Sequence, residues 1–569
     1  MTSLALVRPT ERPAQPIRRQ RRVRLPRIGE RGALTIVSVV FYVTLGAVLV
    51  FHYDSVMGDA LARVSDGHAV LFSRDPKLAA VGFVWTPLPV LLMLPLMPLK
   101  FLWPALTARG FLANIESGIA MAVAVGLLAT MLREWGVRRA PRLMLVAAFA
   151  LHPMIILYGA NGMTEALFIL CMLAVVRRLT NWMTTGATWQ LAMSGVFLAL
   201  AYLARYEAIV GALACVVVVL MVSFTRASGA WGERRSVAVA DCLIVGLPPA
   251  MAFIGWSVTS WAIVGSPFEQ FTSNYGNSAQ LAAFANGMPL SARRDPIKFL
   301  IRQVTALEPL ILLLLVLIAC YAVARWTPRV LAILAGTGSV LAVQLLLFAT
   351  GHTFQWLRFK IFVVPMTVLL VGCLLSARVR REPDEVLLAP KNGWWMIARA
   401  ASSIALVAVV CGPPLLTATK AMTSPELSRE EAQHLPGALS AKHDPKYVTG
   451  TALGQFSSDR QVAAYIDNLA APDGSVLVDY AVGFGVVVSA QHPRRFIIDR
   501  DRDFQAALAD PASFHVRYIL VTSGYQDAVS RAYPTLYSDG ANIATLVHTW
   551  PDSRSRGIIF RLYHVKPLT

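Results

Sequence analysis

The chain has 569 residues, of which 56% are apolar and 15% charged, and its mean hydropathy is +0.55. That profile excludes a soluble enzyme, a disordered chain and a secreted disulfide scaffold, because several windows reach the roughly 20 apolar residues that one helical membrane crossing needs. The net charge of +19 does not point to nucleic acid: 37 Lys+Arg against 18 Asp+Glu fall between Met1 and Thr419, and 15 against 15 from Lys420 onward. The excess travels with the apolar segments, so topology and an anionic lipid surface account for it.

Continuous apolar runs such as GALTIVSVVFYVTLGAVLVF and LILLLLVLIACYAVA also exclude an outer-membrane barrel, whose strands alternate apolar and polar. Nine arginines precede the first run, which is long enough to span and lacks a small-residue cleavage pattern, so residues 1–32 read as a basic cytoplasmic tail and not as a cleaved signal. Eleven spans are expected, at 33–51, 111–132, 142–159, 164–176, 188–204, 207–224, 238–263, 306–324, 330–350, 360–377 and 398–418. The stretch Phe83–Trp103 is apolar too, but Pro87, Pro89, Pro95 and Pro98 argue against a straight crossing. Placing it as a broken, partly re-entrant element of the outer leaflet puts Arg133, Arg138, Arg139, Arg142, Arg177, Arg178, Arg226, Arg234, Arg235, Arg325, Arg329, Arg378, Arg380, Arg381 and Lys391 on the cytoplasmic side. The N-terminus is then inside and the C-terminus outside.

From about 419 to 569 the composition turns hydrophilic and predicts a small α/β domain. Strand-like runs at 475–480, 495–499, 517–522, 543–550 and 558–565 alternate with the helix-like DRQVAAYIDNLA and DFQAALAD. The domain has no nucleotide-binding or metal motif, and packing or guidance of an acceptor is its expected role. All six cysteines lie in apolar stretches, so neither disulfides nor a cysteine metal site is expected.

Ionisable residues at membrane depth are expensive and mark a site; here they gather at the outer face. The first external loop, HYDSVMGDALARVSDGHAVLFSRDP, places Asp54 just beyond the first span, where it either caps the next helix or reaches into a cavity. Residues 55–66 read as an amphipathic helix at the interface, with Asp59 and Asp66 on its solvated face. In LHPMIILYGANGMTEALFIL, Asn161, Gly162, Thr164 and Glu165 break two apolar runs and leave Glu165 at the head of a buried helix, where dipole capping is the alternative to a functional role. AYLARYEAIVG presents Arg205 and Glu207, either as a simple ion pair or as site groups. GHTFQWLRFKIFVVP sets His352, Arg358 and Lys360 at an outer helix end, against the positive-inside bias; they either snorkel to headgroups or meet an anionic ligand, for which Arg offers a bidentate fork.

A basic tail, one span, an external loop opening with Asp, an amphipathic helix, a P-L-P element, the N-G-M-T-E hairpin and later external arginines together resemble the GT-C glycosyltransferases, integral membrane enzymes that take sugar from a polyprenyl phosphate. The resemblance covers the chain to about 418 and is strongest over 51–210. It implies a catalytic base at Asp54, a second acid at Glu165 and phosphate-facing cations at Arg205 and Arg358, with Asp59, Asn161, Glu207 and His352 as further candidates. Asp54 is followed by Ser55, so the D-E or E-D pair of some members is missing; a divalent cation, Mg or Mn, is left open. The implied partners are a polyprenyl phosphate sugar donor, membrane lipids and a cell-envelope glycan, lipid or protein acceptor. Arginine outnumbers lysine 43 to 9, which suggests a GC-rich, actinomycete-like bacterium, and there the resemblance implies mannose or arabinofuranose transferred at the cytoplasmic membrane with inversion. The alternative is a transporter or lipid-linked-sugar flippase, which calls for paired halves and broken helices near the midplane; no internal repeat is visible.

Overall fold

The computed structural model describes residues 29–273, 276, 281, 288–324, 327–376, 393–440, 452–523, 527–550 and 559–567. Most of the basic tail, and Arg325, Arg378, Arg380, Arg381 and Lys391, lie outside them. Among the described residues, eight helices are long and apolar enough to cross a membrane, or ten if each of two bent pairs is one span. The 17-residue apolar helix Thr188–Ala204 brings the set to the eleven expected. These helices keep large apolar side chains exposed, among them Leu213, Val217, Met251 and Ile254. A soluble domain would bury such a surface; a bilayer covers it.

The breaks follow the prolines. Helix Arg139–Ala150 gives way to Pro153–Ala160 at 58°, and Pro296–Leu307 to Ile311–Ala324 at 84° across Glu308, whose extended backbone (φ −139°, ψ 87°) is what a residue preceding Pro309 adopts. Phe83–Trp103 forms only a short helix, Leu88–Met93, and a 3₁₀ stretch, Leu94–Phe101, too short to cross as a straight helix.

At one end of the bundle, Glu30 pairs with Arg142 (2.7 Å) and Arg139 (3.2 Å), and Glu134 pairs with Arg177 (2.5 Å), tying the start of the first span to the helix Arg139–Ala150 and the end of the second span to the helix Glu165–Thr185. The opposite end carries Asp54, Asn161, Glu165, Arg205 and Arg358, together with the C-terminal region. That region holds a five-stranded sheet of order β2-β1-β3-β5-β4, made of β1 (Val476–Val478), β2 (Phe496–Ile497), β3 (Tyr518–Thr522), β4 (Ala544–Trp550) and β5 (Phe560–Val565). β1 pairs in parallel with β2 and β3, whereas β5 runs antiparallel to β3 and β4. The expected strands are all present. Tyr480–Ser489 folds as an apolar helix, capped by Asp479, whose carboxylate accepts from Ala481 N (2.9 Å).

One expectation is corrected here. The first-loop helix runs over Gly58–Phe72 and has no solvated face: Ala60, Leu61 and residues 63–70 are all buried. The helix is sandwiched between the bundle and the C-terminal region. Ser65 Oγ lies 2.5 Å from Tyr480 Oη, and Asp66, expected in solvent, pairs with Arg500 at 2.8 Å.

Candidate outer-face cavity

Gly162 explains why the hairpin reads N-G-M. Its φ is +79°, and a Cβ there would stand 3.0 Å from the Cβ atoms of Ala60 and Ala113. Glycine alone lets the hairpin pack this closely. The Gly162 carbonyl then accepts from Arg63 Nη2 at 3.0 Å, anchoring a buried arginine one helical turn beyond Asp59.

Beside this hairpin lies a cavity of about 310 Å³ lined by Asp59, Arg63, Arg205, Glu207, His352 and Arg358 among its polar residues. Phe271, Phe354, Trp356, Phe359, Leu347 and Val210 supply apolar walls. Glu165, 3% exposed in its side chain, stands in the first turn of its helix, where a carboxylate complements the dipole, and its Oε1 also accepts from Arg205 Nη1 at 2.6 Å. Arg205 also donates to both carboxylate oxygens of Glu207 (3.3 and 2.7 Å), and Gln344 Nε2 donates to the same Glu207 (2.9 Å). The Arg205–Glu207 pair is therefore real, and it is also part of the cavity wall.

Arg358 does not snorkel. Its side chain is 4% exposed, its guanidinium lies 4.3 Å from the Trp356 ring centre, and Nη1 and Nη2 both reach Asp59 Oδ2 at 3.3 Å. His352 is exposed at the rim, 3.1 Å from Thr350 Oγ1. Asn161 does not line the cavity: its Oδ1 accepts from Met163 N (3.1 Å) and shapes the hairpin, and its buried Nδ2 has no partner. Lys360 is fully buried and donates to Trp356 O at 3.2 Å.

Asp54 sits elsewhere. It does not cap the first-loop helix, whose N-cap is Met57. It adopts a left-handed backbone (φ 50°), its carbonyl accepts from Gly454 N (2.9 Å), and its carboxylate pairs with Arg460 (2.5 Å) and Arg109 (3.6 Å). The Arg460 and Gly454 contacts belong to the seam between the first loop and the C-terminal region, as do Ser55 Oγ to His434 Nδ1 (2.8 Å) and Arg74 to Asp501 (3.4 Å), whereas the Arg109 pair lies within the first loop.

Two residues beyond the expected set matter. Arg63 reads in the sequence as one more polar position of an amphipathic helix, and only its place four residues after Asp59 hints at a shared face. Glu430, in a charge-balanced segment, has no sequence signal; its Oε2 lies 3.2 Å from Arg358 Nε.

Among the described residues no three His, Cys, Asp or Glu side chains come together as a metal-ligand set. Asp59, Glu165 and Glu207 are each turned to a guanidinium, so this donor set does not suit a divalent cation.

No family model matches the chain. No curated protein matches it. Among solved structures it is similar to ArnT from Cupriavidus metallidurans bound to undecaprenyl phosphate, at 12% identity and a TM-score of 0.45, over 93% of this chain and 98% of that one. It is also similar to the Archaeoglobus fulgidus oligosaccharyltransferase in complex with Zn and sulfate, at 12% identity and a TM-score of 0.44, over 85% of this chain and 67% of that one. A third is the AglB oligosaccharyltransferase of the same archaeon with an inhibitory peptide and a dolichol-phosphate, at 10% identity and a TM-score of 0.42, over 85% and 69%.

Proposed function

We propose that the chain is a membrane glycosyltransferase of the GT-C type, moving a sugar, mannose or arabinofuranose, from a polyprenyl phosphate to a cell-envelope glycan, lipid or protein. The observation that carries this reading is the cavity itself: three arginines and an aspartate, walled by aromatic and aliphatic side chains, at the end of a membrane bundle. Arginine forks suit a phosphate, apolar walls suit the start of a polyprenyl tail, and a carboxylate suits a general base.

The step is a single displacement. The acceptor oxygen attacks the anomeric carbon, the bond from that carbon to the phosphate oxygen breaks, and the phosphate leaves with the electron pair. The hydroxyl proton passes to a carboxylate. The phosphate gains a negative charge in this step, and Arg358 and Arg205 stabilise it in a site with little water. Asp59 is the base this geometry favours, since it faces the cavity; Asp54, the base implied by the family resemblance, is held by Arg460 and Arg109. Glu165 keeps Arg205 in place. Residues 33–418 form the membrane domain, and residues 419–569 lie outside and guide the acceptor. The basic tail lies in the cytoplasm of a bacterium.

Labelled sugar supplied on polyprenyl phosphate to membranes containing the chain should enter an acceptor, and Arg358→Lys should reduce that entry. Movement of the labelled lipid across the bilayer without transfer would instead mark a flippase.

A further inference from the structure

The Arg358 guanidinium is shared by more carboxylates than one cation can neutralise. Asp59 Oδ2 is 3.3 Å from both Nη atoms, Glu430 Oε2 is 3.2 Å from Nε, and Glu165 Oε1 is 3.8 Å from Nε. The group is planar, so these contacts divide by edge: the Nη pair faces Asp59 and the cavity, and Nε faces away. Arg358 Nε and Glu430 Oε2 are both buried and, although close, are not aligned into a hydrogen bond. A small rotation of the guanidinium would align them.

Glu430 is itself fixed. It lies in the first turn of helix Arg429–Ser440, where Glu431 accepts from Tyr158 Oη (2.8 Å) and Ser428 Oγ (2.7 Å), and where His434 meets Ser55. The helix therefore presents Glu430 from the chain beyond the last span. Burial and the neighbouring Glu431 hold the Glu430 carboxyl well above the usual carboxylate range, opposed by Arg358; Asp59 and Glu165 face it as well.

From this geometry we propose that Glu430 is a positioning residue for donor binding: it keeps Arg358 by its Nε edge while the donor phosphate takes the Nη pair from Asp59. The exchange has a chemical consequence. In the structure as it stands, the Arg358 fork holds the Asp59 carboxylate. Once the phosphate occupies the fork, Asp59 is released to accept the acceptor's proton, so the base is activated only when donor is present. This rests on the cavity being the donor phosphate site.

The test uses the full-length chain in detergent at a pH above about 8, where the Glu430 carboxyl is ionised, and polyprenyl phosphate without sugar as the probe, with Kd read from ligand-dependent thermal stabilisation. Glu430→Gln should weaken binding on the order of tenfold, and in an Arg358→Lys background, where the fork is absent, the same change should add almost nothing. Should the Gln protein fail to accumulate, Glu430→Asp, which keeps the charge but withdraws it by one methylene, serves instead and should weaken binding several-fold. Unchanged Kd in the Glu430 variant, or an equal loss in both backgrounds, overturns the inference and leaves the donor site standing. Unchanged Kd in Arg358→Lys alone overturns the donor site itself.

Discussion

Asp54 and Asp59 are five residues apart on one loop and meet opposite fates. Both carboxylates face arginine, but Asp54 faces Arg460 and Arg109 in a seam between two parts of the chain, and Asp59 faces Arg358 across a cavity. The seam is knitted by the protein's own groups, Arg500 with Asp66 and Ala80 O, Arg74 with Asp501 and Asp503, Gln455 with Val56 O, and it closes over Asp54 Oδ1 and Asp66 Oδ2, which are buried without a hydrogen bond. The cavity instead sets Asp59, Arg63, Arg205 and Arg358 around about 310 Å³ of open space. The lesson is that an Arg/Asp pair says little about function until its surroundings are followed: between two parts of the chain it holds them together, and on a cavity wall it can meet a ligand.

The largest expected effect that sharpens this contrast is at Arg358. Arg358→Ala leaves Asp59, Glu165 and Glu430 close together without their shared cation, and breaking such buried pairing costs about 3–5 kcal/mol. Loss of the folded peak in size-exclusion chromatography, or a much lower thermal midpoint, together with loss of sugar transfer, is expected. A normal midpoint would mean that one of these carboxyls is already protonated. Next in size is Glu165→Gln, which leaves Arg205 with Glu207 but removes its second anion. Turnover should fall by less than for a change at Asp59, with the protein folded; unaltered turnover would move Glu165 from the site to the scaffold.

The seam should answer to pH. Burial pushes the Asp66 carboxyl up to about 6, against the pull of Arg500 and Arg63. A carboxyl whose folded value lies above its unfolded one stabilises the fold most at low pH, and that contribution is lost as pH rises from about 4 through about 6. Asp66→Asn should therefore flatten the decline of thermal midpoint over that interval, a smaller effect than those at the cavity; a slope identical to that of the unaltered chain would assign it to other seam groups such as Asp501, also pushed up to about 6 by burial.

The helices and the broken Phe83–Trp103 stretch were readable because apolar length and a cluster of prolines act locally; the bends before Pro153 and at Pro309 fall inside runs read as single spans, 142–159 and 306–324. Glu165, Arg205, Glu207 and Arg358 stood out because charge at membrane depth is costly wherever it occurs. Reading failed where the decisive neighbour is far along the chain. Asp66 looked solvated because nothing local announces Arg500, and the strand-like run 475–480 extends past β1 onto Asp479 and Tyr480, which cap and open a helix, because a short apolar run fits either helix or strand. Arg63 and Glu430 were invisible for the same reason: their meaning lies in Gly162 and Arg358.

The central claim, that the first loop contributes its base through Asp59 and its architecture through Asp54, is tested most directly by one paired measurement. Transfer of labelled sugar from polyprenyl phosphate is compared for Asp59→Asn and Asp54→Asn in membranes with matched protein levels. Asparagine keeps the shape and removes the proton acceptor, so Asp59→Asn should lose roughly 10²- to 10⁴-fold in rate with donor binding intact, and Asp54→Asn should lose far less. A severe loss at Asp54 with Asp59→Asn active would contradict the account and place the base at the seam.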